Sequence, residues 1–188
     1  EEVWDMGYRC SDGAIFGLGG GTTSNSSAGI LNTTTGSILP QWFTQFSEPG
    51  QDVASHAIDS NGAVFLLFAS GFSSNMNNKL LQINSTFNGN IWLSPTGYNS
   101  FEELDNKNYP YSLLSFPSSN GFNALDVNSN YLFYYDGYNL AAYNKLTGAQ
   151  IANTTISGLN VKEQGGIAVD ECNNIYVGGK GFVLGYYF

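Results

Sequence analysis

A hairpin signal recurs along this chain of 188 residues and constrains its fold more than any other feature. In "LAAYNKLTGAQI", residues 140–151, two apolar stretches flank Asn-x-x-Thr-Gly. "AGILNTTTGSIL" at 28–39 repeats this pattern, and "LLQINSTFNGNIW" at 80–92 is a looser copy with one extra residue in the turn. Asparagine caps such a turn, and glycine supplies the positive φ that closes it. The pattern predicts antiparallel hairpins with structural turn residues at Asn32, Gly36, Asn144 and Gly148.

A second pattern precedes the hairpins and consists of an apolar strand, a short polar turn and another apolar strand. It occurs in "HAIDSNGAVFLLF" (56–68), "NALDVNSNYLFYY" (123–135) and "IAVDECNNIYVGG" (167–179). We expect the first strand to end at Asp59, Asp126 or Asp170, because aspartate favours such turns. "MGYRCSDGAIFGL" (6–18) fits the pattern if Cys10 takes the place of the aspartate.

The two patterns together predict a repeating unit of four antiparallel strands. Units of roughly 40 to 50 residues with this content are typical of β-propeller blades. The predicted fold is therefore all-β and β-propeller-like, a single domain over 1–188 with four four-stranded blade units. The units are predicted at 3–48, 51–93, 113–160 and 163–188, with a loop insertion at 94–112. The last unit has room for only two or three strands, and most propellers have more than four blades, so the chain is predicted to be part of a larger propeller.

The composition favours the same fold class. Hydrophobic residues make up 42% of the chain and aromatic residues 15%, which is enough to build a core. Charged residues make up 11%, well below the roughly 25% of an average protein. Polarity comes instead from Asn, Ser, Thr and Gly, while strong helix formers are scarce. Strands joined by tight turns are the expected result.

The charge excludes some functions. The net charge is −9, and Arg9 and five lysines are the only Lys and Arg residues. Nucleic-acid binding requires clustered cations that neutralise phosphates, so it is excluded. No apolar run approaches the roughly 18 residues of a transmembrane helix, and we predict no membrane insertion. An acidic, lysine-poor surface suits an extracellular or outer cell-surface protein.

Specific motifs resemble those of known propellers. The two Asn-x-x-Thr-Gly hairpins resemble those of quinoprotein-like and YVTN-like propellers, and "GGIAVDECNNIYVGG" (165–179) is similar to the strand pair of NHL-like propellers. These motifs imply a fold and not an activity. "VDECNNIYVGG" also resembles propeller segments of large surface proteins of gliding bacteria, which are exported by type IX secretion. That resemblance implies a surface protein of adhesion or motility type.

Few residues suggest catalysis or metal binding. His56 is the single histidine, but Ser55 and His56 face opposite sides of a strand, and no Gly-x-Ser-x-Gly motif occurs. No His or Cys cluster has zinc-ligand spacing. "DVNSN" (126–130) and "DSNG" (59–62) are similar to the start of a calcium loop, yet the acidic residue at its far end is missing. The sequence predicts no metal and no cofactor, with calcium as the alternative.

Tyrosines and cysteines are the remaining candidates. Tyrosine offers contact area and a hydroxyl group at low entropic cost, which suits binding to sugar or protein. The predicted binding residues lie beside turns and are Tyr98, Tyr109, Tyr111 and Tyr138. Tyrosines that fill the packing between blades are the alternative. Cys10 and Cys172 are predicted either to form a disulfide in an oxidising compartment or to be unpaired, buried thiols.

The predicted function is a non-enzymatic extracellular or cell-surface binding or scaffold module, of adhesion or surface-assembly type. Its partner would be a protein or glycan held by blade loops, or the rest of a longer parent chain. The alternative is a polysaccharide-acting hydrolase or lyase. Such an enzyme needs paired carboxylates, for which Glu102, Glu103, Asp105, Asp52 and Asp59 are candidates. A central pocket lined by two or more carboxylates would favour the enzyme.

Overall fold

The computed structural model describes residues 2–20, 27–36, 38–42, 51–70, 79–84, 89–95, 124–135, 139–156, 164–179 and 182–188. These residues form β-strands and turns, without a helix. The strands are β1 (Glu2–Arg9), β2 (Ala14–Gly20), β3 (Ser27–Leu31), β4 (Ile38–Trp42), β5 (Gln51–Ile58), β6 (Val64–Ser70), β7 (Lys79–Ile83), β8 (Asn90–Pro95), β9 (Leu125–Val127), β10 (Tyr131–Tyr135), β11 (Asn139–Asn144), β12 (Gln150–Thr155), β13 (Gln164–Val169), β14 (Asn174–Gly179) and β15 (Phe182–Tyr187). A membrane-spanning helix is accordingly not found in the described ranges.

The strands form four antiparallel sheets in chain order. Sheet 1 contains β1–β4, sheet 2 contains β5–β8, sheet 3 contains β9–β12, and sheet 4 contains β13–β15. Within each sheet every strand pairs with the next strand along the chain. The predicted all-β, propeller-like fold class is therefore confirmed. The unit boundaries, and the insertion at 94–112, stay predictions.

The turns between third and fourth strands have the same length in three sheets, although β7 and β11 pair with a register shift beside the turn that β3 lacks. Leu31 pairs with Ile38, Ile83 with Asn90, and Tyr143 with Gln150, so the three turns between third and fourth strands have equal length. The turn after Asn84 is therefore not stretched, contrary to the prediction. Gly89 lies at the position of Ala149, because its carbonyl accepts the closing bond from Asn84 N–H as Ala149 does from Asn144.

Three of the four first strands share an irregularity. A β-bulge lies between Val3 and Asp5 in β1, between Val53 and Ser55 in β5, and between Gln164 and Gly166 in β13. Each bulge precedes the turn to the second strand by a similar distance. The repeat therefore includes a backbone feature that the sequence patterns did not predict.

The sheets stack face to face in chain order. First strands lie beside one another, with β5 next to β1 and β9, and β9 next to β13. We call the side of a sheet that packs on the following sheet its forward face, and the opposite side its backward face. One core cluster lies between sheets 2 and 3, and includes Phe65 and Leu125. Another lies between sheets 3 and 4, and includes Phe133 and Ile167.

Candidate functional site: the turn face

The turns between first and second strands and those between third and fourth strands lie on one side of the molecule. This follows from the meander order, because first and third strands run in the same direction. We call this side the turn face, and its described residues are 10–13, 32–36, 59–63, 84, 89, 128–130, 144–149 and 170–173. On the opposite side, which we call the loop face, second and fourth strands end and first and third strands begin.

A lysine from sheet 3 reaches an aspartate of sheet 2 on the turn face. Lys145 Nζ lies 2.8 Å from Asp59 Oδ2, and both side chains are buried. The same ammonium group donates to Asn128 O at 3.2 Å. Asp59 Oδ1 accepts the backbone N–H groups of Asn61 and Ala63, each at 2.9 Å. Asp59 therefore closes its own turn with one oxygen and binds the following sheet with the other.

The ion pair controls the ionisation of Asp59. Burial alone would raise the pKa of this carboxyl group, but the hydrogen bond from Lys145, the Ala63 N–H and the lysine charge lower it further than burial raises it. The net pKa lies below the ordinary value of 3.8. Asp59 is therefore ionised at neutral pH, which keeps the buried pair charged on both sides.

A tryptophan of sheet 2 supports the turn that carries Lys145. Trp92 Nε1 donates to Lys145 O at 2.9 Å. Its ring lies against Gly148, where a Cβ atom would come within 2.5 Å of Trp92 Cε3. The ring also packs beside Phe65, with centroids 6.0 Å apart. The turn of sheet 3 is thus fixed by a side-chain charge, a backbone hydrogen bond and an aromatic contact.

Sheets 3 and 4 are joined by an asparagine. Asn128 Nδ2 donates to Asp170 O at 3.0 Å and to Asn173 Oδ1 at 2.8 Å. Its Oδ1 accepts the N–H groups of Asn130 and Tyr131, each at 3.0 Å, and so caps its own turn. Asn128 makes the same type of connection to sheet 4 as Asp59 makes to sheet 3.

A carboxylate adds to the junction between sheets 3 and 4. Glu171 Oε2 accepts the Ser129 N–H at 3.0 Å. Hydrogen bonds from Ser129 lower the pKa of Glu171, which is thereby kept ionised. Both junction bonds therefore run the same way, because Asn128 and Ser129 of sheet 3 donate and residues of sheet 4 accept.

Asp126 has a different place from the predicted one. It lies inside β9, and Asn128 occupies the capping position that Asp59 and Asp170 hold in their sheets. The reason is turn length, because two residues separate Asn128 from its partner Tyr131, whereas three separate Asp59 from Ala63. An alignment on aspartate therefore shifts the third unit by two residues.

The carboxylate of Asp126 instead binds sheet 4. Its Oδ2 accepts the Val169 N–H at 2.7 Å, and its Oδ1 accepts the Val127 N–H at 2.8 Å. Burial raises the pKa of Asp126, and these two hydrogen bonds oppose that rise only in part. Ser55 makes the corresponding bond one interface earlier, because its Oγ accepts the Ala124 N–H at 3.1 Å.

Sheet 1 has its own turn chemistry. Asp12, and not Cys10, caps the first turn by accepting the Ala14 N–H at 3.1 Å, and it binds Arg9 at 2.6 and 2.9 Å. The hydrogen bond from Arg9 holds the pKa of Asp12 below its ordinary value. Ser11 touches Gly62, which has a φ of +83°, so the first two turns are in contact.

The cysteines differ from both alternatives offered by the sequence. Cys10 and Cys172 are free thiols, and both are exposed. They lie in the first turns of sheets 1 and 4, the two sheets that are furthest apart in chain order. A buried location is ruled out because each lies at the exposed tip of a turn, where few neighbours cover the sulfur.

The other predicted residues fall into two groups. Asn32, Gly36, Asn144, Gly148, Asp59 and Asp170 all lie in turns on the turn face. Tyr98, Tyr109, Tyr111 and Tyr138 lie outside the described residues, as do Glu102, Glu103 and Asp105. His56 is partly buried in β5. Within the described ranges, no group of three or more His, Cys, Asp or Glu side chains could hold a metal ion.

The sequence patterns missed three residues that connect the sheets, namely Lys145, Trp92 and Asn128. A lysine inside a turn normally reads as a solvated side chain, and its burial depends on a partner in another sheet. One signal was available, since lysine is rare in this chain and Lys145 lies next to a capping asparagine.

Comparison with known proteins adds evidence on the fold. No protein-family model and no curated protein matches the sequence. Among solved structures, the chain is similar to the WD40 β-propeller domain of Doa1, with 8% identity and a TM-score of 0.60, covering 98% of this chain and 50% of that one. It is also similar to the gluconolactonase XC5397 from Xanthomonas campestris, with 11% identity and a TM-score of 0.50, covering 94% and 54%.

A third similar structure is BamB from Moraxella catarrhalis, with 11% identity, a TM-score of 0.34 and coverage of 92% and 54%. The likeness to the first two structures shows the fold alone, and that fold is a β-propeller arrangement of sheets. The chain spans about half the length of the structures that it matches.

Proposed function

We propose that this chain is part of a β-propeller that acts as a non-enzymatic binding or scaffold module at the outer cell surface. In this proposal the turn face is a rigid support, and the loop face carries the contacts with a protein or glycan. The observation that carries the proposal is the series of cross-sheet bonds made by Asp59, Asp126 and Glu171.

The hydrogen bonds that the carboxylates accept favour a structural role for the turn face. Asp59 accepts two backbone N–H groups and one ammonium group, and Asp126 accepts two N–H groups. Such bonds orient neighbouring sheets and satisfy buried polar atoms. A propeller that presents loops for binding needs this kind of fixed base, because loops bind tightly only when their ends are held in place.

The connections of the loop face supply the proposed contacts. β8 ends at Pro95 and β9 begins at Leu125, both on the loop face, so the connection that includes residues 96–112 is attached to that face at both ends. The connection between β10 and β11 contains Tyr138 and belongs to the same side. All four tyrosines predicted to bind therefore belong to connections attached to one face.

The chemical class of the partner follows from the residues of these connections. Tyrosine side chains stack on sugar rings and pack well in protein interfaces. The sequence resemblance to surface propellers exported by type IX secretion supports a location outside the cell and a role in adhesion or surface assembly.

A binding assay tests the proposal. The purified chain is applied to arrays of glycans and of extracellular proteins, beside the double variant Tyr109→Ser/Tyr111→Ser. We expect binding that weakens at least about tenfold in the variant, in line with the loss of aromatic contacts. Leu146→Ser, at an exposed position of the turn face, is the matched control and should bind as the wild type does.

An activity assay tests the alternative. The gluconolactonase among the similar structures makes hydrolysis the competing class of function. The chain is incubated with acidic and neutral polysaccharides and with sugar lactones. Measurement of new reducing ends and of released acid then shows whether it hydrolyses any of them. If the chain turns over one of these substrates and a variant such as Glu102→Gln abolishes that turnover, the enzyme hypothesis replaces the binding-module hypothesis.

A further inference from the structure

The two ends of the stack expose apolar residues at positions that are buried between sheets elsewhere. Sheet 1 has no described sheet on its backward face, and sheet 4 has none on its forward face. The repeat makes a direct comparison possible, because corresponding residues can be counted from the turn between first and second strands.

The forward face of sheet 4 carries an exposed aromatic residue. Phe65, Phe133 and Tyr176 each lie two residues after the residue that closes the first turn, on β6, β10 and β14. Phe65 is 1% exposed and Phe133 is not exposed, since each packs on the following sheet. Tyr176 is 43% exposed. Of these three aromatic residues, only the one in the last sheet is uncovered.

The third strands show the same difference. Leu80, Leu140 and Val183 pair with corresponding residues of the second strands. Leu80 and Leu140 are buried in the two core clusters, whereas Val183 is exposed. The forward face of sheet 4 therefore has the composition of an internal interface without the sheet that would cover it.

The backward face of sheet 1 is the complementary surface. Met6, His56, Leu125 and Ile167 each lie three residues before the residue that pairs across the first turn with its closing residue, namely Arg9, Asp59, Asn128 and Asp170. His56 is polar and partly buried, whereas the other three residues are apolar. Leu125 is not exposed and Ile167 is 5% exposed, because the preceding sheet covers them. Met6 is 67% exposed, and Tyr8, two residues further along the strand, is exposed as well. The first and last described sheets thus each have one face with exposed apolar or aromatic residues.

We propose that these two faces bind each other in a pair of chains, so that sheet 4 of one copy packs on sheet 1 of a second copy. The contact continues the internal interfaces, in which Phe65 of a forward face packs with Leu125 of a backward face in one cluster. Tyr176 and Met6 would form the corresponding contact between copies. Two such contacts close a twofold ring, and two half-length stacks supply the strands of one propeller.

The free thiols lie where the pair of copies would bring them together. Inside the chain, first turns of neighbouring sheets touch, as Ser129 and Glu171 do. The ring therefore places the turn 170–173 of one copy beside the turn 10–13 of the other. Cys172 and Cys10 would face each other across that contact, and both are exposed free thiols.

Solution mass tests the proposal. Light scattering during gel filtration should give twice the 20.3 kDa of one chain. Met6→Glu and Tyr176→Glu should each halve the measured mass, whereas Ile151→Glu, at an exposed position on an outer strand, should leave it unchanged. A wild-type chain that is monomeric at high concentration, or that grows into a series of larger species, would overturn the closed pair.

A double variant with opposite charges at the proposed contact distinguishes a lost contact from a failure to fold. Met6→Glu combined with Tyr176→Lys places opposite charges at both contacts, so the mass of the pair should return. Met6→Glu combined with Tyr176→Glu should stay at the mass of one chain. Circular dichroism of each variant should keep the β-sheet spectrum, and a folded exchange variant that stays monomeric would contradict the inferred contact.

Oxidation gives a second readout. Mild oxidation should link Cys10 of one copy to Cys172 of the other, so that non-reducing electrophoresis gives a band of two chains that thiol reduction removes. Two thiols are oxidised and lose two protons and two electrons to the added oxidant, either diamide, whose N=N bond is reduced to a hydrazine, or oxidised glutathione, whose disulfide is reduced to two thiols. A Cys10–Cys172 link within a single chain would instead mean that four sheets close on themselves, and it would overturn the proposal.

Discussion

Two copies of one turn sequence have the same backbone and different surroundings. In sheet 1, Asn32 Oδ1 accepts the N–H groups of Thr34 and Thr35 at 2.9 and 3.2 Å. In sheet 3, Asn144 Oδ1 accepts the two corresponding N–H groups at the same distances. Gly36 and Gly148 close the turns with φ of +71° and +72°. The local sequence therefore determines the turn almost independently of what surrounds it.

The surroundings of the two turns differ completely. Nothing lies within 4 Å of a Cβ placed on Gly36, whereas Gly148 lies against the ring of Trp92. Thr33, which corresponds to Lys145, is exposed, whereas Lys145 is buried and paired with Asp59. A single hairpin motif can thus end a sheet in solvent or join it to its neighbour. The difference lies in the preceding sheet, because Lys145 and Gly148 contact Asp59 and Trp92 of sheet 2, whereas no described sheet precedes sheet 1.

Removing the buried lysine should have the largest effect. Lys145→Met leaves the buried Asp59 charge without its partner and should destabilise the chain by about 3 kcal/mol or more at neutral pH. The matched change Thr33→Met alters an exposed residue and should stay within about 0.5 kcal/mol. Urea denaturation followed by tryptophan fluorescence measures both. Equal midpoints for the two variants would mean that the turns are energetically alike.

Alanine at the two glycines should separate backbone strain from packing. Gly36→Ala imposes a positive φ on alanine and should cost about 1 kcal/mol. Gly148→Ala imposes the same strain and also forces a methyl group against Trp92, which adds about 1 to 3 kcal/mol. The difference between the two variants, measured by thermal and chemical denaturation, is the packing contribution. It should shrink in a Trp92→Leu background, where the ring is absent.

Acidification should narrow the gap between wild type and Lys145→Met. In the wild type the folded-state pKa of Asp59 is lowered, so its contribution to stability is present above the ordinary value of 3.8 and is lost as the pH falls through the folded value. In the variant, burial without the lysine favours the protonated acid, and the penalty disappears in acid. A gap that stays constant from neutral pH to below pH 3.8 would show that the charge of Asp59 is not involved.

Alanine at the two capping asparagines should lower the free energy of unfolding least, and by nearly the same amount at both positions. Asn32→Ala and Asn144→Ala each remove the same two hydrogen bonds, and each should cost about 1 kcal/mol. Because the capping geometry is equal in the two turns, the two values should agree within experimental error. A clearly larger loss at Asn144 would indicate that the cap also positions Lys145.

The sequence allowed the fold class and the turn positions to be predicted because turn chemistry is local. Asn144 caps N–H groups two and three residues away, and any copy of the motif does the same. The cross-sheet bonds could not be predicted in that way. Lys145 and Asp59 are 86 residues apart, and Trp92 binds a carbonyl 53 residues along the chain. No short pattern encodes such a partner.

The misplaced positions have a physical explanation as well. Aspartate and asparagine both cap turns, so an alignment that follows aspartate alone selects Asp126, whereas Asn128 is the capping residue of sheet 3. Cys10 was selected for the same reason, although the acid of that turn, Asp12, lies two residues further on. An alignment that accepts asparagine as well as aspartate at the capping position allows Asn128 to be aligned with Asp59 and Asp170.

The β-bulges at Val3–Asp5, Val53–Ser55 and Gln164–Gly166 have a consequence for how this chain can change in evolution. A bulge absorbs one residue and restores the alternation of side chains beyond it. Length changes on its N-terminal side can therefore be tolerated, because the strand can realign there without turning its other half over. Between the bulge and the turn the strand cannot realign in this way. One residue inserted there would move the side chains of that part of the strand from the forward face to the backward face and vice versa.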